Sequence, residues 1–279
     1  MSVRRVAVRG IQVEVEETGQ GERPFVLVHG FTGSRDDWRE RLLELAPLGR
    51  TIALDQRGHG GTSNSGDPSD YSFEGLVDDL AAVLDAIGVE RCDLLGHSMG
   101  GAVALRFALA HRGRVQSLVA MDTAASPMRI LPKSARQAAA ELVRSAGMGA
   151  LFKAMRDRAG SDANRPEAVA RCEREMGSER FWARIERKLE QMDPVAFATL
   201  GEALAESPGV EARLAEIRCP SLVMVGAQDT GLLEAADALQ AGLPDVRRVT
   251  IPDAAHSPQL ENAPAWLDAI REHLARARA

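Results

Sequence analysis

The chain has 279 residues, 45% hydrophobic and 27% charged, the balance of a folded globular protein rather than a disordered or fibrous one. Its 34 Lys and Arg against 40 Asp and Glu give a formal net charge of −6. There is no basic excess to neutralise phosphates, so a nucleic-acid binder is not expected. Three cysteines, Cys92, Cys172 and Cys219, form no CxxC pair, so neither a disulfide scaffold nor a zinc site is expected.

The first residues carry charge with no apolar run behind it, which argues against a signal peptide. No stretch approaches the roughly 18 apolar residues of a membrane span. The expected setting is cytoplasmic. In chain order, Val3–Val8 and Ile11–Val15 alternate around Gly10 and predict a hairpin. Short apolar runs then recur, each ending at a small or polar residue: Phe25–Val28 before His29, Thr51–Leu54 before Asp55, Asp93–Leu95 before Gly96, Ser117–Met121 before Asp122, Ser221–Val225 before Gly226 and Val246–Ile251 before Pro252. Such runs suit strands buried on both faces of a parallel sheet. Helical patterns lie between them, at about Asp37–Leu48, Ser72–Ile87, Met99–His111, Leu232–Leu243 and Ala263–Ala277. The alternation predicts a doubly wound α/β fold. From Ser126 to Ile217 no strand-like run appears. Amphipathic helices rich in Met and aromatic residues are expected there, lying over one end of the sheet.

In open α/β sheets ligands bind beyond the carboxyl ends of the strands. There Gly96-His97-Ser98-Met99-Gly100 forms a G-x-S-x-G pentapeptide between a predicted strand and a predicted helix. So tight a turn strains the serine backbone, and a Cβ at Gly96 or Gly100 would strike neighbouring backbone. The hydroxyl of Ser98 is raised at a helix N-terminus and needs a base. Among six histidines, His29 and His59 sit beside glycine turns, His97 lies inside the elbow with its ring expected to point away from Ser98, His111 ends a helix, and His273 lies on the last charged helix. His256, in the loop after the last predicted strand, is the candidate base. Asp229, just past the penultimate strand, is the candidate acid. Asp122 competes, and Asp229 is preferred because its strand adjoins the histidine loop. The backbone N–H groups of Met99 and Phe31 are the expected oxyanion donors.

Together these motifs resemble the α/β-hydrolase family: His29-Gly30-Phe31-Thr32-Gly33, Asp55-Gln56-Arg57-Gly58-His59-Gly60 with Ser63, Gly96-His97-Ser98-Met99-Gly100-Gly101, Gly226-Ala227-Gln228-Asp229 and Ala255-His256. The resemblance implies an eight-stranded, mostly parallel sheet flanked by helices, with a helical cap after the sixth strand. The core would be residues 1–125 and 218–279, and the cap 126–217. It also makes the Asp55–Gly60 loop structural. Epoxide hydrolases and haloalkane dehalogenases of this fold carry an aspartate nucleophile, where position 98 is serine. Proline iminopeptidases carry a tryptophan where Met99 stands. The chain departs from the family in lacking a proline soon after Asp229 and in the longer Gly61-Thr62-Ser63 ending.

The expected activity is hydrolysis of a small carboxylic ester or lactone through an acyl-enzyme on Ser98. The alternative is a carbon–carbon bond hydrolase or lyase-type synthase acting on an acidic substrate, which would need cap arginines such as Arg129, Arg156 or Arg184 turned towards Ser98. A non-catalytic small-molecule receptor ranks last, because all three triad members are present. No cofactor or metal is implied: the glycines from Gly96 to Gly101 lack G-x-G-x-x-G spacing. The expected partner is a small-molecule substrate, and self-association is left open.

Overall fold

The computed structural model describes residues 1–129, 131–160 and 165–279. Residue 130 and residues 161–164, within the expected cap, lie outside the described residues. The strands are β1 (Ser2–Val8), β2 (Ile11–Thr18), β3 (Phe25–Val28), β4 (Thr51–Leu54), β5 (Cys92–His97), β6 (Val115–Met121), β7 (Ser221–Gly226) and β8 (Val246–Ile251). They form one sheet in the order β1-β2-β4-β3-β5-β6-β7-β8. β2 runs antiparallel to both of its neighbours, and every pairing from β4 to β8 is parallel. The chain therefore has the eight-stranded, mostly parallel α/β-hydrolase sheet expected from its sequence, with a helical region after β6.

The helices are α1 (Arg39–Leu45), α2 (Phe73–Ala86), α3 (Met99–Ala110), α4 (Lys133–Ala159), α5 (Glu167–Met176), α6 (Ser178–Glu190), α7 (Pro194–Glu206), α8 (Leu233–Gly242), α9 (Pro258–Glu261) and α10 (Ala263–Arg278). The period of two decides which helix covers which face. Phe25, Leu27, Leu95, Val119, Leu222 and Met224 point to one side, where Trp38 and Leu42 from the α1 segment and Trp266 and Ile270 of α10 cover them. Val26, Val28, Leu94, Leu118, Val223 and Val225 point to the other, under α2, α3 and α8. Met148, Phe152, Trp182, Leu189 and Leu200, from the helices between β6 and β7, join this second cluster.

Two sequence expectations change in detail. The single helix expected at Asp37–Leu48 is a 3₁₀ turn at Arg35–Asp37, α1, and a second 3₁₀ turn at Ala46–Leu48. Pro47 lacks the N–H that a continuing α-helix needs. β2 runs three residues past Val15 because Glu16, Glu17 and Thr18 pair with β4. Their charges are matched: Arg50 holds Glu17 at 2.7 Å, and Arg35 lies 3.4 Å from the buried Glu16. His273 lies on the last helix, α10, as expected, and is buried there.

Gly147 breaks α4 with φ 80° and ψ 175°, outside the range other residues adopt readily. Gly149, two residues on, has helical backbone and nothing within 4 Å of an added methyl group. Gly149→Ala should therefore raise stability by roughly 0.5–1 kcal/mol, and Gly147→Ala should lower it by about 1 kcal/mol or more. Urea denaturation of the two variants checks both signs.

Candidate active site

The carboxyl ends of β5 to β8 share one edge, and backbone hydrogen bonds continue across it after the strands end. Ser98 N–H donates to Met121 O at 2.9 Å, Asp122 N–H to Met224 O at 2.8 Å, and Ala227 N–H to Ile251 O at 2.9 Å. Each loop that leaves this edge therefore starts from a fixed height.

At the elbow Ser98 has φ 53° and ψ −119°, between β5 and α3. A Cβ on Gly96 would lie 2.2 Å from Gly100 O, and one on Gly100 would lie 2.4 Å from both Val28 O and His29 O. No side chain fits at either position. The Ser98 carbonyl, turned back under the elbow, accepts from Gly101 N–H at 2.9 Å and from the Thr123 hydroxyl at 2.6 Å. Thr32, Asp122 and Asp253 also have positive φ, of 58°, 44° and 50°. Four of the five described non-glycine residues with positive φ thus lie on the loops of this edge, where strain commonly marks function.

His256 Nδ1 donates to Asp229 Oδ2 at 2.6 Å, so Asp229 rather than Asp122 is the partner of the imidazole. Asp122 is buried immediately behind: one atom each of Asp122, Asp229 and His256 fall within 4.8 Å of one another. The Nδ1–Oδ2 bond makes this a hydrogen-bonded chain rather than a coordination shell. Burial by itself raises the Asp229 carboxyl, but the hydrogen bond and charge of His256 outweigh it and leave Asp229 below its ordinary value. The link from the Ser98 hydroxyl to the imidazole is not formed among the described residues. Catalytic hydrogen bonds of this type often close only with substrate present. The amides of Phe31 and Met99, the expected oxyanion donors, give no hydrogen bond to any described residue.

Several supporting groups escaped the sequence reading. His97 holds the histidine loop. Its Nε2–H donates to the His256 carbonyl at 2.6 Å, and the two rings stand 4.9 Å apart. Burial, then the neighbouring His256, depress His97 to about 3, so it stays a neutral donor. Glu261 Oε2 accepts from Ala255 N–H at 2.5 Å and from Ser257 N–H at 3.2 Å, gripping the histidine loop on both sides. Asp37 braces the oxyanion turn by accepting from Ser34 N–H at 3.2 Å. Lys188 of α6 donates to Asp37 at 2.6 Å, and Arg184 reaches it at 3.5 Å. Against the cost of burial, these two cations hold the Asp37 carboxyl far below the ordinary range. The only usable signal for these contacts was the proximity of Asp37 and Glu261 to motif residues.

The Asp55 loop is structural here, as the resemblance implied. Asp55 accepts from Arg35 N–H at 2.7 Å and Gly61 N–H at 2.9 Å, and Arg57 is bound to Asp79 at 2.6 Å. A cavity of about 390 Å³ opens between α4 and α7, with Phe31, Met128, Phe197 and Leu204 in its walls. Phe31 stacks on Phe197 with centroids 5.3 Å apart. Gly30, next to Phe31, abuts Ser98: a Cβ there would lie 3.0 Å from Ser98 Cβ. Of the helical-region arginines singled out from the sequence, Arg184 bonds to Asp36 O and Asp37, Arg129 is exposed beside Glu206, and Arg156 stands over Trp182.

Among known proteins, residues 23–263 match the family model of the alpha/beta hydrolase fold. The chain is 36% identical over 119 residues to epoxide hydrolase 3 of Xenopus tropicalis, covering 42% of this chain and 32% of that protein. It is 36% identical over 124 residues to 2-hydroxymuconate semialdehyde hydrolase of Pseudomonas sp. strain CF600, 43% of each chain. The chain thus spans about a third of the first relative and under half of the second. A malate-bound esterase structure from Thermogutta terrifontis superposes over 100% of both chains with a TM-score of 0.82 and 30% identity. No described helix is long and apolar enough to cross a membrane.

Two outcomes follow. Asp37→Ala takes the carboxylate from the half-buried Lys188 and Arg184 and should cost about 1–3 kcal/mol, measured by urea denaturation. His59 and His97, depressed to about 3, and His273, to about 4, are held neutral chiefly by burial. The unfolded chain takes up their protons from its ordinary value of 6.5 downward while the folded chain does not. Stability should therefore fall on acidification below that value, each group contributing up to about 1.4 kcal/mol per pH unit. A urea midpoint that is flat or rising from pH 7 to pH 5 contradicts this.

Proposed function

Because the chain belongs to the α/β-hydrolase family, we propose that it is a serine hydrolase that cleaves a small carboxylic ester or lactone through an acyl-enzyme on Ser98. The observation that carries this reading is an imidazole already bonded to its carboxylate, at 2.6 Å, in the loop packed on the serine elbow. Ser98 attacks the acyl carbon as His256 Nε2 takes its proton, and Asp229 holds the Nδ1–H and the charge that forms on the ring. The oxyanion falls to the amides of Phe31 and Met99. His256 then protonates the departing alkoxide. In the second half the same nitrogen takes a proton from water, which attacks the acyl group and frees the acid and Ser98.

The identity of the nucleophile favours acyl transfer over epoxide opening. A serine hydroxyl that opened an epoxide would be left as an alkyl ether, with no carbonyl for water to attack. From an ester it keeps an acyl group that water removes. The helical region, acting as a cap, supplies the walls of the substrate cavity, which are mainly apolar. A second reading, carbon–carbon cleavage of an acidic substrate, draws support from the similarity to the semialdehyde hydrolase. It is opposed by the engagement of Arg129, Arg156 and Arg184 with other groups, and of the cavity-lining Arg136 and Arg144 with Glu202, Glu206 and Glu141.

Ser98→Ala and His256→Ala should each lower kcat/KM on p-nitrophenyl esters by roughly 10³-fold or more, with the fold intact by circular dichroism. The cavity volume favours short and medium acyl chains over long ones. Wild-type turnover that survives both substitutions would overturn the assignment.

A further inference from the structure

Asp122 ends β6 one strand short of the acid, and its surroundings do not suit a second carboxylate. Its side chain is buried, with the residue 1% exposed. Oδ1 accepts from Gly226 N–H at 2.9 Å. Oδ2 is buried and, in an ionised group, meets no donor. A carboxyl oxygen of Asp229, which is itself committed to His256, lies within 4.8 Å of one of Asp122. Two carboxylates so placed cannot both be charged at modest cost, and the His256 N–H selects Asp229 as the charged one.

We propose that Asp122 carries a proton at neutral pH and donates it to the Asp229 carboxylate, so that a neutral acid positions the charged acid of the triad. This rests on the Ser98–His256–Asp229 reading. Asp122 acts through Asp229 and is a positioning residue. The groups facing the pair agree with this assignment. Glu261 adds a further negative charge, and His97, held neutral, supplies no compensating cation. Burial first, and then the Asp229 and Glu261 carboxylates, push Asp122 well above its ordinary value despite the Gly226 N–H. The proton also gives the otherwise unsatisfied Oδ2 a bond to make. One proton is shared between two carboxyl groups, and the pair keeps a single negative charge beside the imidazole.

The test compares Asp122→Asn and Asp122→Ala. Asparagine keeps a donor and an acceptor without a titrating proton and tolerates positive φ. Alanine removes the donor, and kcat should fall about tenfold or more, as for a lost hydrogen bond to a charged group, with KM little changed. Asparagine should restore kcat to within about threefold of wild type.

A second readout does not depend on activity or on the alanine variant folding. A folded carboxyl with a raised pKa keeps a proton that the unfolded chain releases, so wild type loses stability as pH rises above the ordinary carboxyl value. The Tm of Asp122→Asn relative to wild type should therefore increase from pH 4 to pH 8. The infrared band of a protonated carboxyl present in wild type at pH 7 should be missing from the asparagine variant. Asparagine as damaging as alanine, a Tm difference without this trend, or an unchanged infrared spectrum would each show that Asp122 is ionised and overturn the proposal. Turnover surviving Ser98→Ala would instead sink the triad reading, and the infrared and Tm results would still report the proton.

Discussion

Parallel pairing from β3 to β8 puts the carboxyl ends of the strands on one edge, and the hydrogen bonds that run past the strand ends keep them level. Ser98, Asp122 and Ala227 are each tied by a backbone N–H to the next strand over. The serine, the acid loop and the histidine loop are thus positioned by the ladder of the sheet before any side chain is considered. The turn at Ser98 adds a constraint of its own. Its φ of 53° is tolerated because backbone fills the space where Gly96 and Gly100 would otherwise carry side chains.

The site depends on buried charge as much as on backbone. Asp37, Glu261 and Asp122 are acidic groups placed where water is scarce, and each is compensated differently. Asp37 is met by two cations from α6, so the helical region and the oxyanion turn are docked together through one carboxylate. Glu261 is met by two amides of the histidine loop. Asp122 has one amide and a neighbouring acid. Removing any one partner leaves a buried polar group unsatisfied, which is costlier than the bond itself. The loops are therefore held by interactions that fail together rather than one at a time.

The central strands were legible because strands buried on both faces must be apolar throughout, and each run stopped within two residues of where a loop began. The elbow was legible because its sterics require glycine at fixed positions, and His256 was legible by its place after the last strand. The boundaries of β2 were not, since Glu16 and Glu17 read as solvent-exposed until Arg35 and Arg50 are seen beside them. Nor could the sequence reveal that Lys188 meets Asp37, a contact between residues 151 positions apart. The contact of His97 with the histidine loop was not legible for a related reason. The elbow fixes its backbone, but the direction of its ring is decided by the His256 carbonyl, which arrives from a distant loop. The choice between Asp229 and Asp122 was framed correctly as a rivalry at two strand ends, and only a distance could settle which one the imidazole meets.

The central claim is that the hydroxyl of Ser98 is a nucleophile activated by His256 and Asp229. Incubation with an alkyl fluorophosphonate followed by peptide mass spectrometry tests this most directly, since an unactivated serine does not react. The account predicts one phosphonyl adduct per chain, on the peptide holding Gly96 to Gly101 and localised to Ser98, with labelling slowed in His256→Ala. An intact, folded protein that remains unlabelled, or one labelled at another serine, would contradict it.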